Sequence, residues 1–477
     1  MLFNSIDFAI FLPVCFVLYW FVTHKNLRLQ NSLIVLSSFI FYGWWDWRFL
    51  FLMVGSASID YFVSILLKKQ ENKKKRKILL AYSIIANLGI LAFFKYFNFF
   101  VDNFIDVFTL FGTKFNPITL NIVLPVGISF YTFQALSYTI DVYRKKLEPT
   151  NSIIDYFAFI SFFPQLVAGP IERATNLLPQ FYKKRIFDYD KAVDGMRQIL
   201  WGLFKKIVVA DGCAEYVNNI FGNYTEHSGS SLALAAILFG FQIYCDFSGY
   251  SDIAIGTARL FGFNIMQNFA FPYFSRDIAE FWRRWHISLS TWFRDYVYIP
   301  LGGSKGNNTI KIRNIFVIFL LSGFWHGANL TFIVWGALNA IYFLPLLLFG
   351  KNRNNLNIVA EGKLLPSIKE IIQITATFGL TTFAWIFFRS KSLTDAFSFI
   401  GHIFSPDFFT MPVVYLKVLI FILILVIIEW IQRKKRHALD FEGLILPSWF
   451  KISIYVGLSY LIMTFGTINQ SFIYFQF

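Results

Sequence analysis

Charged side chains are scarce in this sequence of 477 residues. Asp, Glu, Lys and Arg make up 15% of it, whereas hydrophobic residues make up 56%. The mean hydropathy of +0.54 is too high for a water-soluble enzyme. Apolar runs of about 17–25 residues recur, and each is long enough to cross a ~30 Å hydrocarbon layer as a helix. Runs of this length are typical of membrane helices, whose backbone hydrogen bonds are satisfied internally. We therefore expect an all-α polytopic membrane protein.

Cysteine and several catalytic motifs are also scarce or missing. Cys15, Cys213 and Cys245 lie in or beside apolar segments without paired spacing, which argues against a disulfide framework or a zinc site. The sequence has no Walker A motif, no histidine pair at metal-ligand spacing and no nucleophile elbow. We therefore expect no nucleotide hydrolysis, no metal and no Ser-His-Asp triad. The first residues lack the basic region of a cleaved signal peptide, so residues 8–22 are predicted to be a retained first span.

Acidic residues are fewer than basic ones, 28 against 43, which gives a net charge of +15. The basic residues cluster just outside the apolar runs, where they fix topology and contact anionic lipid headgroups. We therefore expect membrane lipids and no nucleic acid among the partners. About eleven spans are predicted, near residues 8–22, 31–45, 49–67, 78–100, 120–142, 196–221, 231–262, 314–349, 369–388, 412–431 and 450–467, with a half-inserted segment at 153–168.

The basic loops also predict an orientation. If the N-terminus is external, the clusters near residues 24–28, 68–77, 144–146, 183–185 and 433–436 all face the cytoplasm, as the positive-inside rule prefers. The loops that are then external, such as 223–229 and 390–407, contain few Lys and Arg residues. We therefore expect both termini to be external.

Residues 262–313 differ from the apolar spans because they combine arginines and lysines with tryptophans and tyrosines. A basic, tryptophan-rich amphipathic segment usually lies in the membrane interface. The alternative is a site for an anionic ligand, because the guanidinium fork binds phosphate bidentately. Trp282, Arg283 and Arg284 are the candidates for such a site. Nearby His286 is expected to be neutral beside so much positive charge, and it could orient a carbonyl or phosphate or cap a helix end.

The predicted helix at 231–262 has an unusual face. Its members follow one another at spacings of three and four residues, which places them along one side of a helix: Gln242, Cys245, Gly249, Asp252, Gly256 and Arg259. Small residues there allow close helix contact. Asp252 and nearby Asp246 need partners if they are buried, and Arg259 or the arginines of 276–294 are available. These two carboxylates either form structural ion pairs or belong to a site.

His326 lies in the middle of the apolar segment 314–339. Ser322 precedes it by four residues and Asn329 follows it by three, which predicts a short polar stripe. An ionisable side chain inside the membrane usually marks a substrate path or reaction centre, and a neutral histidine is the usual general base for a hydroxyl. The alternative is a packed histidine that hydrogen-bonds a carbonyl. The remaining histidines are expected to be solvated or interfacial: His24, His227, His402 and His437.

Taken together, these segments resemble the membrane-bound O-acyltransferase family, specifically its bacterial branch that acetylates alginate and peptidoglycan. The resemblance rests on residues 124–138, 163–171, 242–256, 277–290, 292–303, 324–327 and 472–477, and it covers nearly the whole chain. It implies one domain over 1–477, with core motifs at about 120–350, and a ring of tilted helices around a central tunnel. It further implies that His326 is the catalytic histidine and that His286 is a second histidine on the cytoplasmic side.

The resemblance also implies the chemistry. Members of this branch move acetyl groups across the bacterial inner membrane, from acetyl-CoA and with no permanently bound cofactor, towards sugar hydroxyls of an exported polysaccharide. They work with an external SGNH-type partner, which would be a separate protein here. Trp282, Arg283 and Arg284 would then hold the donor, while Asp246, Asp252, Ser322 and Asn329 would support the site. The alternatives are D-alanyl transfer to teichoic acid by the same fold, and a transporter or lipid flippase without covalent chemistry.

The orientation can be tested by cysteine accessibility in intact cells. A cysteine placed at Lys74 should be protected from a membrane-impermeant thiol reagent, because the basic loop at 68–77 is predicted to be cytoplasmic. A cysteine in the predicted external loop at 223–229 is the matched positive control. Labelling at position 74 in intact cells would reverse the predicted orientation.

Overall fold

The computed structural model describes residues 1–110, 120, 122–167, 169–466, 470, 472 and 473. Within these ranges the backbone is helical with connecting loops, and it contains no β-strand. The all-α prediction therefore agrees with the described part of the chain. Some predicted segments fall partly outside the described residues: residue 121 of the fifth predicted span, residue 168 of the half-inserted segment, residue 467 of the last predicted span and residues 474–477 of the C-terminal motif.

The described chain divides into two compact units. Unit 1 consists of residues 1–189 and 258–265, and unit 2 of residues 190–257 and 266–477. The expectation of one domain over residues 1–477 stays a prediction, because compact units of packing are not necessarily separate domains. All nine candidate site residues belong to unit 2.

Unit 1 is built from helices α1 to α8. They are α1 (Ile6–Val17), α2 (Leu27–Gly43), α3 (Arg48–Lys69), α4 (Lys73–Leu110), α5 (Ile128–Tyr143), α6 (Ile153–Ile160), α7 (Phe163–Leu166) and α8 (Ala174–Phe181). Buried Asp60 on α3 accepts hydrogen bonds from Ser83 and Asn87 on α4 and from Thr139 on α5. These bonds compensate for the burial of the carboxyl group and tie the three helices together.

Unit 2 carries the helices α9 to α19. They are α9 (Tyr189–Leu203), α10 (Asp211–Gly222), α11 (Gly229–Leu260), α12 (Ile278–Arg284), α13 (Ile287–Phe293), α14 (Asn308–His326), α15 (Leu330–Leu348), α16 (Ile368–Arg389), α17 (Leu393–Ile403), α18 (Leu416–Ile431) and α19 (Ser448–Phe465). A π-helical segment, Phe204–Ala210, joins α9 to α10. Residues 189–222 are thus one continuous helical run.

Small residues bring α9 and α11 into backbone contact. A Cβ atom at Gly202 would lie 2.6 Å from the carbonyl oxygen of Gly249, and one at Gly256 would lie 2.4 Å from that of Gly195. Both distances are far below van der Waals contact, so glycine is required at these crossings. The close helix contact expected from the small residues of the 231–262 face is therefore present.

Six helices among the described residues are long and apolar enough to cross a membrane. They are Arg48–Lys69, Lys73–Ile105, Gly229–Leu260, Leu330–Leu348, Ile368–Arg389 and Ser448–Phe465. Each overlaps a predicted span, and Lys73–Ile105 extends beyond the predicted residues 78–100 at both ends. The other predicted spans fall on shorter or interrupted helices, such as the run through the π-helical segment. The count of about eleven spans and the central tunnel stay predictions.

One predicted span was wrong. Residues 314–349 form two helices, α14 and α15, which are joined at Gly327, Ala328 and Asn329. The helices pack closely along their length, because a Cβ atom at Gly323 would lie 2.2 Å from the carbonyl oxygen of Phe332. Asn329 begins the second helix by accepting a hydrogen bond from Thr331 N at 3.0 Å. A continuous apolar run does not reveal such a break, because both halves of the hairpin are apolar.

The backbone contact between α14 and α15 predicts that Gly323→Ala destabilises the protein. The new methyl group would force the two helices apart, and such overpacking typically costs about 1–3 kcal/mol. Gly379→Ala on α16 is the matched control, because a Cβ atom there meets nothing within 4 Å. Thermal unfolding of the purified protein in detergent should show a lower midpoint for Gly323→Ala and an equal or higher one for Gly379→Ala. Equal midpoints for Gly323→Ala and wild type would contradict the contact.

Candidate active site

His326 is the last residue of α14 and lies in an aromatic cage. Its side chain is buried, with 4% of the residue exposed. The ring centroids of Trp325, Trp335 and Phe388 lie 5.0, 5.1 and 5.2 Å from that of the imidazole. The last turn of a helix carries partial negative charge, which favours a cation there. The imidazole can therefore accept a proton in a site from which much of the water is excluded.

A group of tryptophans in ring contact connects this cage to the segment around His286. Trp335 contacts both Trp282 and Trp385, at centroid distances of 5.8 and 5.5 Å, and Trp385 contacts Trp285 at 5.1 Å. Trp325 lies between the two histidines, 5.0 Å from His326 and 5.9 Å from His286. Helices α12, α14, α15 and α16 thus bring together the two histidines that the sequence separates by forty residues.

His286 does not continue the helix that carries Trp282. Helix α12 ends at Arg284, and His286 stands before α13 with a backbone φ of +43°, in the left-handed region. Trp282 and Arg283 therefore do not share a helical face with His286, which stands at a helix end, one of the two positions considered from the sequence. Its Nδ1 lies 3.0 Å from Oδ1 of Asn268.

The imidazole of His286 is neutral, but the cause differs from the one expected. Only 1% of the residue is exposed, and burial lowers the pKa of His286 to about 3. The neighbouring arginines were expected to supply this effect through their charge. Desolvation alone disfavours the charged form of a histidine, so the ring stays neutral across the physiological range.

A cavity of about 650 Å³ opens beside these helices. Among the predicted site residues, it is lined by Trp282, Arg283 and Ser322. The rest of the described lining comes mostly from α13, α14 and α15 and from the loops beside them: Ala279, Ile287, Leu289, Ser290, Thr291, Phe293, Arg294, Tyr298, Ser304, Ile315, Ile318, Phe319, Phe343, Leu347, Asn352, Arg353 and Leu356. A volume of this size is typical of small-molecule and cofactor sites.

The cavity lining is apolar with a cationic part. Three arginines, Arg283, Arg294 and Arg353, belong to it, and none of its described lining residues is acidic. The guanidinium of Arg283 donates to the carbonyl oxygens of Asn352 and Asn355, both at 2.8 Å. These bonds hold the loop after α15 against α12. The lining therefore suits a ligand that combines an apolar part with negative charge.

Arg284 occupies a different position from Arg283. Its guanidinium forms an ion pair with Glu280 at 2.8 Å and donates to the carbonyl oxygen of Ala270 at 3.2 Å. Glu280 is buried and also pairs with Arg276. Arg284 is not among the described residues that line the cavity. The ion pair with Glu280 and the hydrogen bond to Ala270 are contacts of a residue that stabilises α12.

The predicted polar stripe around His326 is only partly formed. Ser322 is on the same helix, one turn before His326, and it lies at the cavity wall. Asn329 is beyond the helix end, where it caps α15 and donates to the carbonyl oxygen of Lys391 at 2.8 Å. The stripe fails at Asn329 because the chain leaves the helix at Gly327.

The carboxylates of α11 are paired with lysines rather than with arginines. Lys205 Nζ lies 2.5 Å from Asp252, and Lys206 Nζ lies 2.8 Å from Asp246 and 2.7 Å from Asp211. Both lysines belong to the π-helical segment and are buried. The suggestion of Arg259 or the arginines of 276–294 as partners was therefore wrong. Two consecutive lysines inside the apolar run 196–221 were the sequence feature that could have indicated these pairs.

Two further ionisable groups are buried, and the burial of neither was predicted from the sequence. His437 was expected to be solvated or interfacial, yet only 2% of it is exposed, and its Nε2 lies 2.9 Å from Asp194. Glu429 on α18 is also buried, and the hydroxyl of Tyr244 lies 2.9 Å from each of its carboxyl oxygens. A glutamate inside an apolar helix is a detectable feature, whereas the burial of a histidine in a basic loop is not.

Comparison with known proteins identifies the family of this chain. The profile of MBOAT, the membrane-bound O-acyltransferase family, matches residues 144–385. The chain is 39% identical to a protein named as a probable alginate O-acetylase from Pseudomonas aeruginosa, over 85% of this chain and 75% of that one. It is 36% identical to a peptidoglycan O-acetyltransferase from Helicobacter pylori, over 83% of this chain and 78% of that one.

A more distant relative carries a different activity. The chain is 28% identical to a teichoic acid D-alanyltransferase from Bacillus subtilis, over 57% of this chain and 70% of that one. The stronger similarities cover most of both chains. This chain therefore belongs to the membrane-bound O-acyltransferase family and is a multi-pass membrane acyltransferase.

Proposed function

We propose that this acyltransferase moves an acetyl group from cytoplasmic acetyl-CoA across the bacterial inner membrane for O-acetylation of an extracytoplasmic polysaccharide. The observation that carries the proposal is the position of His326, which is buried in an aromatic cage. Ser322, one helical turn before His326, lies in the wall of a large cavity whose lining includes arginines. Two relatives of high similarity are named for acetylation of alginate and of peptidoglycan, which supports a polysaccharide acceptor of one of these kinds.

His326 is the general base of the proposed reaction. It takes the proton of the acceptor hydroxyl while the hydroxyl oxygen attacks the carbonyl carbon of the thioester. The carbon–sulfur bond then breaks, and the imidazolium returns the proton to the leaving thiolate, so that the products are an ester and free coenzyme A. The C-terminal end of α14 stabilises the transient imidazolium, and the surrounding tryptophans limit hydrolysis by water.

The cavity is the proposed donor site. Its apolar wall suits a pantetheine arm, and Arg283, Arg294 and Arg353 suit the phosphates of coenzyme A. The indole N–H of Trp282 is buried, and among the described residues it has no hydrogen-bond acceptor. A carbonyl oxygen of a bound donor would satisfy it. Arg284 supports this site by holding α12 through Glu280, and it makes no proposed contact with the donor.

The remaining predicted residues have supporting roles in this proposal. His286 orients a substrate group on the cytoplasmic side of a tunnel that leads to His326. Asp246 and Asp252 fix α11 through their lysine partners, and Asn329 sets the start of α15. An external SGNH-type protein, encoded separately, would supply the hydroxyl that is acetylated at His326 and would then pass the acetyl group on to a hydroxyl of the polysaccharide, the final acceptor. The whole chain of residues 1–477 is proposed to act as one domain.

Two other functions make different predictions. D-alanyl transfer is supported by the relative from Bacillus subtilis, and it would take its acyl group from a carrier-protein thioester instead of acetyl-CoA. A transporter or flippase would use the buried ionisable groups without any covalent step. Transfer of labelled acetyl from acetyl-CoA by the purified protein separates the proposed function from both.

The donor site predicts that Arg283→Ala raises the apparent KM for acetyl-CoA more than it lowers kcat. A hydrogen bond to a charged group contributes about 1.5–3 kcal/mol, so we expect a KM increase of about tenfold or more. Arg313→Ala is the matched control, because it removes the same charge from an exposed arginine outside the cavity lining. An unchanged KM in a folded Arg283→Ala protein would leave this arginine with only its contacts to the loop after α15.

His326→Ala should abolish acetylation of the external polymer while the protein reaches the membrane at a normal level. Removing a general base typically lowers a rate by about 10²–10⁴-fold. His286→Ala should cause a partial loss, because it is proposed to orient a substrate group and not to transfer the proton. The measurement is acetyl content of the polymer in cells that carry each variant. Near-normal transfer by His326→Ala would remove this residue from the reaction and favour the transporter alternative.

A further inference from the structure

Asn268 forms several hydrogen bonds with His286 and its neighbours. It lies in the loop between α11 and α12 and is fully buried. Its side-chain oxygen is 3.0 Å from His286 Nδ1, 2.9 Å from Ser288 Oγ and 3.3 Å from the backbone nitrogen of Ser288. Its side-chain nitrogen donates to Ser251 Oγ on α11 at 3.2 Å. Its backbone carbonyl oxygen accepts a hydrogen bond from Ile287 N at 2.9 Å.

These partners fix which way the amide of Asn268 faces. The two ends of an asparagine amide are assigned from their hydrogen-bond partners. A backbone N–H can only donate, so the atom that faces Ser288 N must be the amide oxygen. The same oxygen faces Nδ1 of His286. An oxygen that carries no hydrogen can only accept, and therefore Nδ1 must donate.

The hydrogen bond therefore selects one tautomer of the neutral ring. In a neutral imidazole one nitrogen is the donor and the other is the acceptor. With the proton on Nδ1, the Nε2 atom carries the lone pair. The left-handed backbone of His286, with φ at +43°, is held by the bonds of Asn268 to Ile287 N and Ser288 N. The ring is thus fixed both in orientation and in protonation.

We infer that Asn268 is a positioning residue, which holds His286 as the Nδ1–H tautomer so that Nε2 serves as a hydrogen-bond acceptor. The role in catalysis rests on the proposed function, whereas the tautomer does not. An acceptor at Nε2 selects for a substrate group that carries a hydrogen, such as an amide N–H or a hydroxyl. A carbonyl or phosphate oxygen, which needs a donor, is not the group that His286 binds.

The surroundings of His286 are suited to keeping its ring as the neutral Nδ1–H tautomer. Its described ring contacts are Phe247, Phe269 and Trp325, at centroid distances of 4.7, 6.4 and 5.9 Å. The elements around it also carry ionisable groups. Arg284 pairs with Glu280 on α12, and Asp252 and Asp246 of α11 pair with Lys205 and Lys206, while His326 stands at the end of α14. A charge introduced at Asn268 would therefore act directly on the ring of His286.

The tautomer can be measured without turnover. The protein contains six histidines, and ¹⁵N-histidine labelling resolves protonated from bare ring nitrogens. The signal of His286 is assigned by its loss in His286→Gln. We expect a protonated Nδ1 and a bare Nε2 in the wild-type protein. A bare Nδ1 would overturn the inference, even if the acetyl-CoA assay supports the proposed function.

Asn268→Asp gives a second test, through the pH profile of acetyl transfer. A carboxylate beside Nδ1 raises the pKa of His286, so the ring is protonated at low pH and Nε2 can no longer accept. Activity should be present above the raised pKa and lost as the pH falls through it. Relative to wild type, we expect a deficit of about tenfold or more at low pH, which shrinks as the pH rises.

Asn307→Asp is the matched control for the added charge. Asn307 caps α14 by accepting from Ile310 N at 3.0 Å, and aspartate caps a helix as well as asparagine does. Its pH profile should follow that of wild type, including any contribution from His326. A uniform loss at all pH values in Asn268→Asp, with no recovery, would indicate only a structural role and overturn the positioning role.

Discussion

Charge that is removed from water must be compensated, and this constraint organises unit 2. Lys205 and Lys206 lie in a π-helical segment between two α-helices, and they pair with Asp252 and Asp246 on α11. Breaking one buried pair leaves an uncompensated charge, which typically costs about 3–5 kcal/mol. Helix α11 is therefore fixed in register against α9. The same helix supplies Ser251, which holds Asn268, so the orientation of His286 depends on these ion pairs.

A second constraint is close backbone packing. The glycines of α14 and α15 let the helices touch, and this contact sets the position of His326 at the helix end. Trp325, Trp335 and Phe388 then surround the imidazole. The two histidines thus depend on different forces. His326 is positioned by dispersion contacts between rings and backbones, whereas His286 is positioned by hydrogen bonds to a buried amide.

Sequence reasoning was most successful where one physical property decides the outcome. Apolar runs predicted helices, because every span in lipid must satisfy its own backbone, and the spacing on α11 indicated its close contact with another helix. It was least successful where a helix breaks inside an apolar or amphipathic stretch. The break after His326 separates Asn329 from residues that periodicity had joined to it, and the break after Arg284 leaves His286 outside the helix that carries Trp282. The lysine partners of Asp246 and Asp252 lie 40 and 47 residues earlier in the chain, and only tertiary structure brings them together.

The loop between α15 and α16 is held mainly through its backbone. Arg276, Arg283 and Arg433 donate to carbonyl oxygens of Asn352, Asn355, Asn357, Val359, Ala360 and Lys363. A backbone carbonyl is present in every residue, so these particular bonds do not depend on which side chains the loop carries. The side chains of Asn352, Arg353 and Leu356 nevertheless line the cavity. Under the proposed function, mutation can therefore alter one wall of the donor site without removing these backbone bonds, which is a simple evolutionary route to relatives that accept different acyl donors.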